Sequence, residues 1–239
     1  MSQNNARSSL FGALFMPALI LGVLIILAIL VISFRSSPSA PSAGNDNTRT
    51  LDASLISQFE DTYDALGESV GKPDAPITIR EFADYQCPAC GSFAPTAKRI
   101  REEMVESGKA RFVFFDFPLP MHAHAKQAAV AARCAARQGR FWDYHDRLFE
   151  TQRDWSQRDD PTSMFLDMAV ESGVDADRLE QCMTQGGPDE VISQNQEAGK
   201  AIGLRATPTI IVGDTLFSGA VSYERIQQAV ERQSGGGNG

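Results

Sequence analysis

Apolar positions along this chain change their rhythm several times. From Leu10 to Phe34 they run on without one charged residue, whereas Leu51, Leu55, Ile56 and Phe59 recur at helical spacing. Ile77 to Phe82 alternates with period two, which places Ile77, Ile79 and Glu81 on one face of a strand. Arg111 to Phe117 is apolar on both faces, as an interior strand must be. Between these two strands, Cys87-Pro88-Ala89-Cys90 opens a helix that includes Phe93 to Glu106 and ends near Gly108. Strand, helix and strand form a right-handed βαβ unit with parallel strands.

No strand is expected between Pro118 and Gly203. Five helices are expected there: His122 to Gln138, Phe141 to Thr151, one opened by Asp160-Pro161, one opened by Asp175 that contains Cys182, and one opened by Pro188. Ala206 to Val212 resumes the sheet, Gly213-Asp214 turns it into Thr215 to Ser218, and Ser222 caps a closing helix to about Arg232. The aromatic residues Trp142, Tyr144 and Phe149, with His145, read as core at helical spacing. His122 and His124 read as capping or exposed residues near a helix start.

At about 1.5 Å per residue the uninterrupted apolar run is long enough to cross a hydrocarbon core of roughly 30 Å. Residues 10–34 are therefore expected to be a retained transmembrane anchor. The alternative is a cleavable signal peptide, with Ser37-Pro-Ser-Ala40 or Pro41-Ser-Ala43 as the cleavage site, although such apolar regions usually span about 7–15 residues. Arg7 and Arg35 flank the run and leave its orientation to be decided by the chemistry that follows. Residues 1–9 then form a cytoplasmic N-terminus. Residues 35–66 form a Ser- and Pro-rich linker and a leading helix, residues 67–232 one domain with a helical insertion at about 118–203, and residues 233–239 a disordered tail.

Composition narrows the function. With 239 residues, 43% of them hydrophobic, the chain has room for one sizeable core besides the anchor. A net charge of −8 with no Lys/Arg cluster argues against a nucleic-acid partner. The chemistry lies in Cys87 and Cys90. At this spacing on a strand-to-helix corner two cysteines can close a small disulfide ring, and Cys87 sits where free helix N–H groups and the macrodipole stabilise a thiolate. Cys87 is the candidate nucleophile and Cys90, one turn further in, the resolving thiol. Half of a zinc site and an inert structural disulfide are the alternatives. Zinc needs about four ligands, and neither Cys134, Cys182 nor the histidines form a second ligand pair in local sequence. Glu81, a carboxyl among aliphatics, should titrate high and suits proton transfer to or from a buried thiol. Pairing with a cation, from among the neighbours of Arg80 or Lys98, is the plainer alternative.

Glu-Phe-x-Asp-Tyr-Gln-Cys-Pro-x-Cys at 81–90, Phe-Pro-Leu-Pro at 117–120, the pattern around 134–149 and Ala-Thr-Pro-Thr at 206–209 together resemble the membrane-anchored DsbA-like branch of the thioredoxin superfamily. The resemblance implies a thioredoxin-like α/β fold with an inserted helical domain, and it covers about residues 65–232. It implies that Cys87 attacks, Cys90 resolves and Glu81 is the buried acid. Pro208 matches a cis-proline facing the disulfide, Thr207 presents backbone to substrate, and Pro88 and Ala89 line the same surface. Ala89 stands where the best-known member has histidine, which removes one stabiliser of the thiolate. Some anchored members carry a second disulfide, here Cys134 with Cys182; two buried free thiols are the alternative. The implied activity is that of an extracytoplasmic, single-pass membrane-bound dithiol oxidase acting as a monomer on unfolded exported proteins with free thiols. It would need no cofactor or metal, and a reoxidase of the DsbB or vitamin-K-epoxide-reductase type would regenerate it. A reductase or isomerase of the same fold, and a copper-handling thioredoxin-like module, are the alternatives.

Overall fold

The computed structural model describes residues 47–235. The apolar run expected as an anchor lies outside the described residues, as do the tether before Asn47 and residues 236–239. Among the described residues no helix is long and apolar enough to cross a membrane.

A six-stranded mixed sheet with the order β1-β6-β5-β3-β4-β2 carries everything else. Strand β3 (Thr78–Ala83) lies at its centre, parallel to β4 (Arg111–Asp116) and antiparallel to β5 (Thr209–Val212). Helix α2 (Pro88–Ile100) is the crossover between β3 and β4, and it continues through one π turn at Arg101–Val105. Strand β6 (Thr215–Ser218) forms the expected hairpin with β5, and Gly213 takes φ 56 in its turn, a conformation open to glycine without strain.

The sequence pattern anticipates neither edge strand. Strand β1 (Thr48–Thr50) pairs with β6, and β2 (Glu68–Val70) pairs with β4, both antiparallel. Between them the leading segment is broken into α1 (Ala53–Gln58), a π turn (Phe59–Tyr63) and a 3-10 turn (Asp64–Leu66). The compact body begins at Asn47, and Phe59 is fully buried in it, so this body starts upstream of the boundary expected at residue 67.

Period-two alternation divides the core into two layers. Ile79 and Ala83 of β3 face Cys90, Phe93, Ile100, Phe112 and Phe114, while Phe82 faces Phe59, Val113, Phe115, Ile211 and Leu216. Arg80 shares the second face and is 1% exposed, a position that a guanidinium tolerates only with a matched carboxylate. Asp64 supplies it through two bonds of 2.7 and 2.8 Å.

The insertion consists of α3 (Ala125–Ala136), α4 (Phe141–Glu150), α5 (Gln152–Trp155), α6 (Thr162–Glu171), α7 (Ala176–Thr184) and α8 (Asp189–Ala201), and α9 (Tyr223–Gly235) closes the chain. Helix α3 buries Ala128, Ala129, Ala131, Ala132 and Ala135, small side chains that let neighbouring helices approach closely. Cys134 of α3 and Cys182 of α7 form a disulfide with Cα atoms 5.9 Å apart. On the sheet side of α3, the buried Arg133 donates to Asp116 at 2.5 Å, Glu68 at 3.0 Å and Asn195 at 2.8 Å, binding α3 to β4, β2 and α8.

Candidate active site

The chain leaves the C-terminal end of β3 at Ala83 and turns into α2 within four residues. Cys87 is the N-cap with φ −70 and ψ 122, and Pro88 follows at the first helical position, where a missing N–H costs nothing. The Cys87 amide donates to Asp84 O at 3.0 Å, and the Cys87 carbonyl accepts from Gly91 N at 3.1 Å. Cys90 is 0% exposed and Cys87 8% exposed, and neither forms a disulfide in this structure.

The environments of the two thiols are opposed. A hydrogen bond from Cys90 holds the Cys87 thiol down to about 5 in spite of burial, aided by contact with Thr207 and by the backbone N–H groups of Cys90 and Ala89. Burial pushes the Cys90 thiol well up, and its hydrogen bond to Cys87 and the charge there add to the rise. The Thr207-Pro208 bond is cis, and Thr207 O lies 3.5 Å from Cys87 Sγ.

Glu81 is 1% exposed, paired across the sheet with Phe114 on β4 and Ile210 on β5. Burial lifts its carboxyl to about 8 against the pull of Arg101, and its Oε2 has no hydrogen-bond partner. The cation acting on Glu81 is therefore Arg101 of the π turn rather than Lys98. Lys98 instead reaches Asp146 at 3.4 Å and Glu150 at 3.6 Å near the surface. Arg101 itself bonds Asp146 and lies 4.6 Å from the Trp142 ring centroid.

Several polar groups that the sequence reading passed over hold the redox loop. The buried Asp84 accepts from Gln86 N at 2.7 Å, Leu119 N at 2.8 Å and His122 Nδ1 at 2.7 Å, so His122 anchors the loop and does not cap a helix. Gln86 accepts from His124 N at 2.7 Å and donates to Ser156 O at 2.9 Å. Gln152 donates to Tyr85 O at 2.7 Å and Cys87 O at 2.8 Å. His145 is core, as its spacing suggests. Burial holds it neutral, and its Nδ1 faces the Tyr85 hydroxyl at 2.8 Å. These partners lie 35 to 70 residues from the loop, beyond any local motif.

Among the described residues no group of three or more His, Cys, Asp or Glu side chains is placed to hold a metal ion. A hollow of about 520 Å³, lined by Arg80, Arg111 and Asp214, opens at the end of β3 away from the cysteines.

A thioredoxin family model matches residues 66–232. The chain belongs to this thioredoxin family. Among its relatives is disulfide bond formation protein D of Bacillus subtilis, 26% identical over 171 residues that cover 69% of this chain and 75% of that protein. Na(+)/H(+) antiporter NhaA 3 of Salinispora tropica is 32% identical over 161 residues, which make up 67% of this chain and 24% of the antiporter. The match thus spans about a quarter of that relative's length. The crystal structure of oxidised BdbD from Bacillus subtilis superimposes with a TM-score of 0.65 at 26% identity, covering 72% of this chain and 95% of that one. The thiol-disulfide exchange protein alpha-DsbA2 from Wolbachia pipientis shares the fold, with a TM-score of 0.65 at 22% identity over 75% of this chain and 94% of that one. Within the thioredoxin family the likeness is to the DsbA-like proteins.

Proposed function

We propose that this protein introduces disulfides into exported proteins through Cys87 and Cys90. It is a protein dithiol:disulfide oxidoreductase. The observation that carries the reading is the opposite displacement of two thiols one helical turn apart, Cys87 down to about 5 and Cys90 well up. A sulfur that is a stable thiolate is a good leaving group, and a buried thiol that resists ionisation is a poor one until it is given a proton.

Starting from the oxidised pair, a substrate thiolate attacks Cys87 Sγ. A substrate–Cys87 bond forms, the Cys87–Cys90 bond breaks, and Cys90 leaves with the electron pair and takes up a proton. We assign that proton to Glu81, protonated up to about pH 8 on the sheet face that packs Cys90. A second substrate thiolate then attacks the substrate sulfur of the mixed disulfide, and Cys87 departs as a thiolate. The substrate loses two electrons, and the enzyme gains them and passes them to a membrane reoxidase of the DsbB or vitamin-K-epoxide-reductase type. Thr207 and cis-Pro208, beside Cys87 Sγ, are assigned to hold the substrate strand through Thr207 backbone, with Pro88 and Ala89 on the same surface. The apolar run at 10–34 anchors this domain to the membrane, with residues 36–239 on the oxidising, extracytoplasmic side.

The purified oxidised domain should restore activity to a reduced, unfolded disulfide protein faster than a glutathione buffer alone. A domain that only reduces such substrates would reverse the assigned direction. Protease added to intact cells or spheroplasts should digest residues 36–239, and full protection would place the domain on the other side.

A further inference from the structure

Gln152 is the first residue of α5, in the insertion, and it is 7% exposed. Its carboxamide spends both N–H groups on the redox loop, one on Tyr85 O at 2.7 Å and one on Cys87 O at 2.8 Å. Its Oε1 lies so close to α2 that a Cβ built on Gly91 would stand 2.4 Å from it. Glycine at 91 thus leaves the space in which Gln152 sits.

The two carbonyls flank the residue that decides the chemistry. Tyr85 is 1% exposed, so its carbonyl has little access to water, and an unmet buried acceptor is costly. The Cys87 carbonyl has only Gly91 N, at 3.1 Å, as a helical donor, and Gln152 adds a second. Fixing both carbonyls fixes the peptide planes on either side of Cys87. Cys87 is the N-cap of α2, and the backbone of Ala89 and Cys90 helps to hold its thiol low; how closely Sγ approaches that helix end follows from those planes, since an N-cap side chain can approach it only from a narrow range of backbone angles.

We propose that Gln152 is a positioning residue for the redox reaction: by holding the Tyr85 and Cys87 carbonyls it sets Cys87 Sγ over the helix N-terminus and so makes the insertion part of the thiol's reactivity. This rests on the thiol–disulfide reading above. It differs from a packing role because the bonds fall on the redox loop itself and not on the helices of the insertion. His145, the other residue of the insertion that bonds Tyr85, meets the ring hydroxyl and not the backbone.

The test uses the intact protein with Gln152→Leu, which keeps the bulk and removes both donors, and Gly91→Ala, which displaces the carboxamide while leaving residue 152 unchanged. The pH midpoint of Cys87 alkylation and the equilibrium of the Cys87–Cys90 pair with glutathione are measured for each. Both variants should move the midpoint upward by about one pH unit and shift the redox equilibrium roughly tenfold toward the disulfide, the two being the same change of about 1.4 kcal/mol in the thiolate's stability. Equal midpoints and equilibria in parent and variants, with or without a change in unfolding midpoint, would overturn the proposal and assign Gln152 to packing. If Gln152→Leu fails to fold, Gly91→Ala decides alone. An ordinary thiol midpoint for Cys87 in the parent would overturn the redox reading itself, a result distinct from any difference between variants.

Discussion

Cys87 Sγ lies 3.5 Å from the carbonyl oxygen of Thr207, a residue 120 positions away in the chain. The contact joins the start of helix α2 to the residues that lead into strand β5, so the redox sulfur and the backbone edge proposed to receive a substrate are positioned together. Cys90, one helical turn on, is fully buried, whereas Cys87 keeps 8% of its surface exposed.

Cys90→Ser should accumulate mixed disulfides between Cys87 and disulfide-bearing substrates, because the Cys87 thiolate still attacks a substrate disulfide, expelling one substrate thiolate, and resolution by Cys90 is lost. Cys87→Ser should form none. Alkylation against pH should give a midpoint near 5 for Cys87 and no reaction at Cys90 in the folded protein. Equal curves for the two thiols would contradict the assignment.

Stability of the reduced protein should rise with pH relative to that of the oxidised one. The Cys87 thiol is lowered from 9.0 to about 5, so between those values the unfolded chain holds a proton that the native state has released. The stabilisation is complete above the unfolded value and is lost as pH falls through about 5. Denaturant titrations of both redox forms across this window check it. The reduced form should also be the more stable of the two at neutral pH, and an oxidised form that proves the more stable would transfer the protein to the reductase alternative.

Glu81 acts with the opposite sign. Its carboxyl is raised from 4.5 to about 8, so across that window the native state holds a proton that the unfolded chain has lost, and stability falls as pH rises. In the oxidised protein, where no thiol of the pair titrates, Glu81→Gln should flatten this fall, which amounts to a few kcal/mol at about 1.4 kcal/mol per unit. The same variant should slow exchange by roughly tenfold or more and change its pH profile. An unchanged profile would leave Glu81 a structural residue only.

Replacing Cys134 and Cys182 together by serine should destabilise the domain by about 4 kcal/mol, the chain-entropy value for a bridge across 48 residues. Unfolding midpoints measure it. Alkylation of the native, unreduced protein followed by mass spectrometry should find both sulfurs blocked by their own bond, and four modified thiols would rule the bridge out.

The parts of this molecule legible in its sequence are those whose signal is local and repeated. Ile77 to Phe82 shows its alternation within six residues, the Ala-rich stretch of α3 and the aromatic stretch of α4 show helical spacing, and Cys87-Pro-Ala-Cys90 carries its chemistry in four positions. Strands β1 and β2 show nothing comparable. Each has three residues, and they are strands because the edges of β6 and β4 have unpaired backbone groups to satisfy. The leading segment kept its helical character but broke into α, π and 3-10 turns as Phe59 was drawn into the second core.

Sequence alone determined the strand order around the redox helix, the place of the insertion and the two sulfurs, because backbone periodicity and helix-end electrostatics act over a few residues. Only the tertiary structure decided which cation faces Glu81, what His122 holds, and that Gln152 reaches the redox loop. Those outcomes depend on side chains brought together from positions tens of residues apart. Arg101, 8% exposed, acts on the buried Glu81 carboxyl, whereas Lys98, three residues earlier on the same run of helix, reaches Asp146 near the surface, and local spacing does not record that choice.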